Sequence, residues 1–276
     1  MHRTLLFFIT SIFLCAALST EAQEVTDWEL KAVECERTAF SSDDPYEVNE
    51  ALLEKAFCYK QCRRFTDAST TLGRVKMYLL DPGKQAEVLY EKELCSYLAG
   101  DFETALAYID EAAANGMAAM DPAGIMLDAL VFGECGMWDE SAGRTEQLME
   151  ILYEGEALTS AHEQVHEFFS NIPELKDDKT AMFRAFLPPF GHFYTGNQSE
   201  GWLSLALNAA AAGWCVWQCM GGNWITGILG GGIALNYTFM GNQERCAYLV
   251  EKYNHDAMRA FNDSLKELVL SHSAAE

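Results

Sequence analysis

The chain has 276 residues, half of them hydrophobic and 12% aromatic, with 41 acidic against 19 basic side chains and a net charge of −22. That apolar content excludes a wholly disordered chain and suffices for one or two packed domains. The acid excess argues against nucleic acid and anionic lipid headgroups as partners of the solvated part, because both are bound through Lys and Arg that neutralise phosphate.

Residues 1–22 read as a secretory signal. His2 and Arg3 form a short basic start, an apolar run extends from Leu5 to Leu18, and small residues lead to an exit at Ala22. As a helix that run would rise about 21 Å, too little for a hydrocarbon core of about 30 Å. Eight cysteines follow it (Cys35, Cys58, Cys62, Cys95, Cys135, Cys215, Cys219 and Cys246), and none has the spacing of a disulfide framework or a CxxC site. Cys58 and Cys62 lie one helical turn apart, as do Cys215 and Cys219, which suits apolar filling of a helix face.

Residues 23–180 are predicted to be a helical repeat domain, with apolar residues recurring at three and four from Asp27 to Lys179. FTDASTTLGRV from Phe65, FETALAYIDEA from Phe102 and WDESAGRTEQL from Trp138 each set an aromatic three residues before a small one, at spacings of 37 and 36. A period in the thirties built from paired helices marks a solenoid. These stretches resemble the tetratricopeptide repeat. Phe65, Ala68 and Leu72 match the opening of its second helix, as do Phe102, Ala105 and Ile109, and Ala56 and Tyr59 stand where its first helix has a small residue and a tyrosine. Asp81-Pro82 and Asp121-Pro122 fall between units, where Pro stops one helix and starts the next. Ser141 and Thr145 depart from the pattern, which suits a degenerate closing repeat. The resemblance implies a surface that holds a protein or peptide partner.

His162-Glu163-Gln164-Val165-His166 matches the H-E-x-x-H of zinc peptidases, in which two histidines one turn apart share a zinc ion and the glutamate polarises its water. Glu167 directly after it, Pro173 soon beyond, and no third ligand except Glu174 and Glu200 by type alone favour an amphipathic helix with Val165, Phe168 and Phe169 inward. No catalytic residue, metal or cofactor is therefore expected. A membrane-associated zinc endopeptidase using His162, Glu163 and His166 is the rival reading.

From Gly201 to Gln243 no residue is charged. Trp202 to Met220 and Trp224 to Met240, separated by Gly221-Gly222-Asn223, would reach about 28 and 25 Å as helices, and they are predicted to pair as a membrane hairpin within residues 181–243, with lipid contact through residues 202–240. Trp202, Trp224, Tyr237 and Phe239 near the ends suit the bilayer interface. Gly227, Gly230, Gly231 and Gly232 permit close helix packing, while Asn208, Gln218 and Asn236 are expected to bond between helices. The preceding Gly191, His192, Phe193, Tyr194, Gly196 and Gly201 resemble the opening of a small bacterial two-transmembrane-helix hairpin domain, which implies anchoring or assembly and gives His192 a structural part. The glycine-rich faces also suit homo-oligomers. Residues 244–276 continue as an amphipathic helix through Cys246, Val250, Tyr253, Ala257, Phe261, Leu265 and Leu268.

These readings predict an all-α protein: a tetratricopeptide-like helix-pair solenoid, a transmembrane helical hairpin and a C-terminal amphipathic helix. The expected location is the bacterial cell envelope, at the inner membrane, with repeats and C-terminus in the periplasm. The expected function is that of a scaffold or adaptor for protein partners. A third reading is an oligomeric hairpin acting as a channel or insertion aid.

Overall fold

The protein is described by a computed structural model over residues 25–119 and 121–273, and the fold is all-α, with no strand among the described residues. The predicted signal peptide lies outside them. The chain divides into two compact units, Met1–Phe169 with Val269–Glu276, and Ser170–Leu268.

The first unit contains α1 (residues 25–41), α2 (Pro45–Gln61), α3 (Phe65–Leu72), α4 (Pro82–Ala99), α5 (Phe102–Ala114), α6 (Pro122–Glu134), α7 (Trp138–Leu152) and most of α8 (Gly155–Ser170). Within it α2 packs on α3, α4 on α5 and α6 on α7, and each of these pairs also meets the next. The sequence builds each pair by one local recipe. Asp44, Asp81 and Asp121 cap α2, α4 and α6 by accepting from the backbone N–H of Tyr46, Lys84 and Gly124. A proline follows each Asp at the first helical position, where its missing N–H is not needed.

The second helix of each pair opens on Phe65, Phe102 or Trp138, and just before it one residue turns the chain with positive φ: Arg63 at 55°, Gly100 at 78° and Gly136 at 71°. Those three positions repeat the spacings of 37 and 36. Only Arg63 carries a side chain there, a conformation that L-residues resist.

Burial follows the same register. Ala68, Ala105 and Ser141 are fully buried, and Leu72, Ile109 and Thr145 lie four residues on in the core. In the third pair Ser141 Oγ donates to Ala129 O and Thr145 Oγ1 to Ser141 O, both at 2.8 Å, so two hydroxyls fill apolar positions without an unmet hydrogen bond. One apolar cluster gathers Leu52, Ala56, Ala68, Leu72, Val88 and Cys95; another gathers Ile109, Leu127, Val131 and Phe132. Glu36 of α1 takes Lys55 and Arg74 at 2.7 and 2.8 Å, and these cations hold its carboxyl down at about 2.

The second unit contains α9 (Asp178–Ala185), α10 (Phe190–Tyr194), α11 (Gln198–Met220), a π-helical stretch (Thr226–Gly231) and most of α12 (Gly232–Ser273). A turn at Gly221 to Asn223 folds the π-helical stretch back against α11. The fold lends no support to two separately spanning helices, because no helix among the described residues is long and apolar enough to cross a membrane. Asn208, Gln218 and the small residues dilute α11, and the second arm is widened by the π turn before α12 begins. The expected boundary between hairpin and C-terminal helix is also absent: α12 runs through it unbroken, burying Cys246, Val250, Phe261 and Leu265 at the predicted spacing, with Tyr253 exposed.

Candidate functional site

A polar node ties the second unit together where α9, α10, α11 and α12 converge. His192, almost wholly buried on α10, meets Asn242 Oδ1 of α12 through Nε2 at 2.8 Å, and Ser204 Oγ of α11 donates to the same oxygen at 2.6 Å. Asn242 Nδ2 donates to Ala185 O at 2.6 Å. That fixes the amide with its oxygen toward His192, so Nε2 carries the ring proton and donates. Nδ1 has no hydrogen-bond partner and lies 4.0 Å from Glu200, which Arg245 grips with two hydrogen bonds of 2.8 Å. His192 thus donates a hydrogen bond that ties α10 to α12. Gly191 beside it is obligatory: a Cβ there would stand 2.8 Å from Cys246 Sγ and from Ala185 Cα.

Above this node the two arms pack through small residues. A Cβ on Gly231 would fall 2.6 Å from Cys215 Cβ, and one on Gly227 would fall 2.7 Å from Cys219 Sγ. Asn208 accepts from Thr238 across the pair at 3.0 Å, whereas Gln218 bonds to Asn223 in the turn and Asn236 is exposed. The large side chains face outward instead. Leu203, Leu207, Val216, Ile228, Leu229 and Ile233 are all more than half exposed, with Trp202, Trp217, Trp224 and Tyr237 among them. A soluble helix pair buries its large apolar groups and exposes charge; this pair buries Gly227 and Gly231 against the half-buried Cys215 and Cys219 and exposes leucine, isoleucine and tryptophan.

No family model, curated protein or solved structure matches the chain.

The H-E-x-x-H stretch lies on α8, where Ala161 and Val165 are buried and Glu163 and His166 are exposed. His162 Nε2 is buried with no hydrogen-bond partner. Among the described residues no three His, Cys, Asp or Glu side chains gather so as to hold a metal ion.

The first unit holds a site that the sequence reading did not single out. Glu93 of α4 and Asp128 of α6 are both about nine-tenths buried or more, at 5% and 3% exposure, and their carboxyls interact directly. Arg144 of α7 reaches Asp128 Oδ2 at 3.0 Å, but Glu93 Oε1 has no hydrogen-bond partner. Both residues line a cavity of about 670 Å³ between α4, the end of α5 and α6. Burial, then the neighbouring Asp128 carboxylate, pushes the Glu93 carboxyl far above its ordinary range. Burial also raises Asp128, with Arg144 pulling the other way, so the Arg144 guanidinium beside Asp128 favours the charge there and a proton shared by the pair on Glu93. The available signal was an acid on the apolar face of VLYEKELCSYL, at a three-four spacing from Leu89.

Proposed function

We propose that the protein is a non-catalytic scaffold of the bacterial cell envelope, whose tetratricopeptide-like helix pairs hold a protein partner and whose uncharged hairpin sits in the lipid bilayer. The observation that carries the membrane half is the inverted packing of α11 on the second arm. Lipid offers nothing to gain from hiding leucine but favours close backbone contact through small residues and polar bonds turned inward, and the hairpin has both. Neither arm needs to be apolar all round, since Asn208, Thr238 and the glycine face are shielded by the partner arm. The pair therefore enters lipid as one body. The scaffold half rests on the three helix pairs built by one recipe, because such stacks present extended binding surfaces.

Fractionation of cells tests the anchor. The full chain should remain with membranes through a carbonate wash, while a variant lacking residues 198–243 should not. Release of the intact full chain by that wash would refute the lipid anchor, and a homo-oligomer covering the same apolar face would then appear as a large soluble species on gel filtration.

A further inference from the structure

We infer that the cavity between α4, α5 and α6 is a binding site for a primary ammonium group on an alkyl chain, the chemistry of a lysine side chain, with the carboxyl groups of Glu93 and Asp128 as its floor. The inference rests on the scaffold reading and names the group that the helix pairs hold.

The cavity combines a charged end with an apolar approach. Ala86, Leu89, Ile109, Ala112, Met117 and Ala118 line its walls, a surface suited to a methylene chain. Glu93 and Asp128 line its floor side by side, and Glu93 Oε1, shut off from solvent, has no hydrogen-bond partner. A buried acceptor left unmet costs free energy, and an ammonium brings three donors to meet it. Glu87 and Asp121 also border the cavity, and among the described residues no Lys or Arg lines it. The first turns of α4 and α6 lie at its edge, but each is capped by an Asp, Asp81 accepting from Lys84 N–H and Asp121 from Gly124 N–H, so those helix ends do not convert the site to an anion trap.

The exchange balances in charge. Free protein holds a proton on Glu93; the entering ammonium keeps its own protons, Glu93 ionises to pair with it, and one proton leaves to solvent. The charged and titratable groups around Glu93 are Asp128 and Asp121 from α6 and its cap, Arg144 from α7, and Tyr90 and Glu87 from α4, with Glu87 itself paired to Lys84. None of these supplies a cation directly to Glu93 Oε1. Affinity should therefore rise with pH from 6 to 8, as less work is needed to remove the Glu93 proton.

The test uses the full chain in detergent, titrated calorimetrically with n-butylammonium and with a peptide containing one lysine, in buffers of different ionisation enthalpy. The expected results are one site per chain, proton release near one per ligand, and binding weakened about tenfold or more by Glu93→Gln, the size of one lost charge-assisted bond. Asp128→Asn serves as the second variant should Glu93→Gln fail to fold. Peptide that binds as butylammonium does assigns the site to a partner's lysine, whereas butylammonium alone assigns it to a free amine. Butylammonium that does not bind, or that binds Glu93→Gln as well as the natural chain, overturns the inference. In-cell crosslinking runs beside it: no captured partner, with butylammonium still bound, would count against the scaffold reading and leave the ammonium site standing.

Discussion

At the scale of single residues, two side chains sit against the ordinary rules, and each for a local reason. Arg63 occupies the left-handed turn that Gly100 and Gly136 fill in the later pairs. Glu93 is the more consequential. Its folded state binds a proton more tightly than the unfolded chain does, so the stability it contributes is complete below the ordinary carboxylate range and falls as pH rises toward its raised value. A glutamine at that position is neutral throughout. Glu93→Gln should therefore match the natural chain in thermal stability near pH 5 and exceed it increasingly toward pH 8, by at most about 1.4 kcal/mol for each pH unit. Melting curves of both proteins across that range check it; a constant difference would show that Glu93 ionises without penalty. Little in the sequence marks Glu93 and Asp128, since each is one acid among 41. Only folding sets them side by side away from water.

At the scale of elements, the helices were legible and the hairpin's construction was not. Three Asp-Pro caps and three aromatic openings set α2 to α7 from local chemistry alone, which is why the expected starts at Phe65, Phe102 and Trp138 coincide with the observed ones. The second arm of the hairpin escaped such reading. A π turn lengthens its hydrogen-bonding ring and brings Gly227 and Gly231 onto Cys219 and Cys215. Neighbouring glycines serve as a control, for a Cβ on Gly230 would meet nothing within 4 Å. Gly230→Val should leave the hairpin intact, whereas Gly231→Val should force the arms apart and lower the melting temperature in detergent, with an overpacking cost of about 1–3 kcal/mol. Equal melting of the two variants would mean that the arms do not pack at that face.

At the scale of the whole molecule, the acidic helix pairs and the uncharged hairpin ask for different surroundings. The predicted signal would carry the chain from Gln23 onward out of the cytoplasm, so a hairpin that enters the membrane and returns leaves the repeats and the C-terminal end together. Arg184, Arg245 and Lys252 flank it while the Gly221 to Asn223 turn has no charge, which opposes the usual positive-inside bias. Arg245 is neutralised by Glu200, which weakens that objection. Reporters fused before Asp27 in the exported chain and after Glu276 should both be active on the periplasmic side. A C-terminal reporter active only in the cytoplasm would require one crossing instead of a returning pair.

By itself the sequence determined what local forces decide: helix ends from caps and proline, the repeat from its spacing, the amphipathic face of α12 from its three-four pattern, and the lack of charge from Gly201 to Gln243. Tertiary structure alone decided which residues share a neighbour far along the chain. The joining of His192 to Asn242, of Glu93 to Asp128 and of Gly231 to Cys215 arises from packing geometry, because a hydrogen bond or a buried charge depends on distance and on exclusion of water, and neither is written in the order of residues.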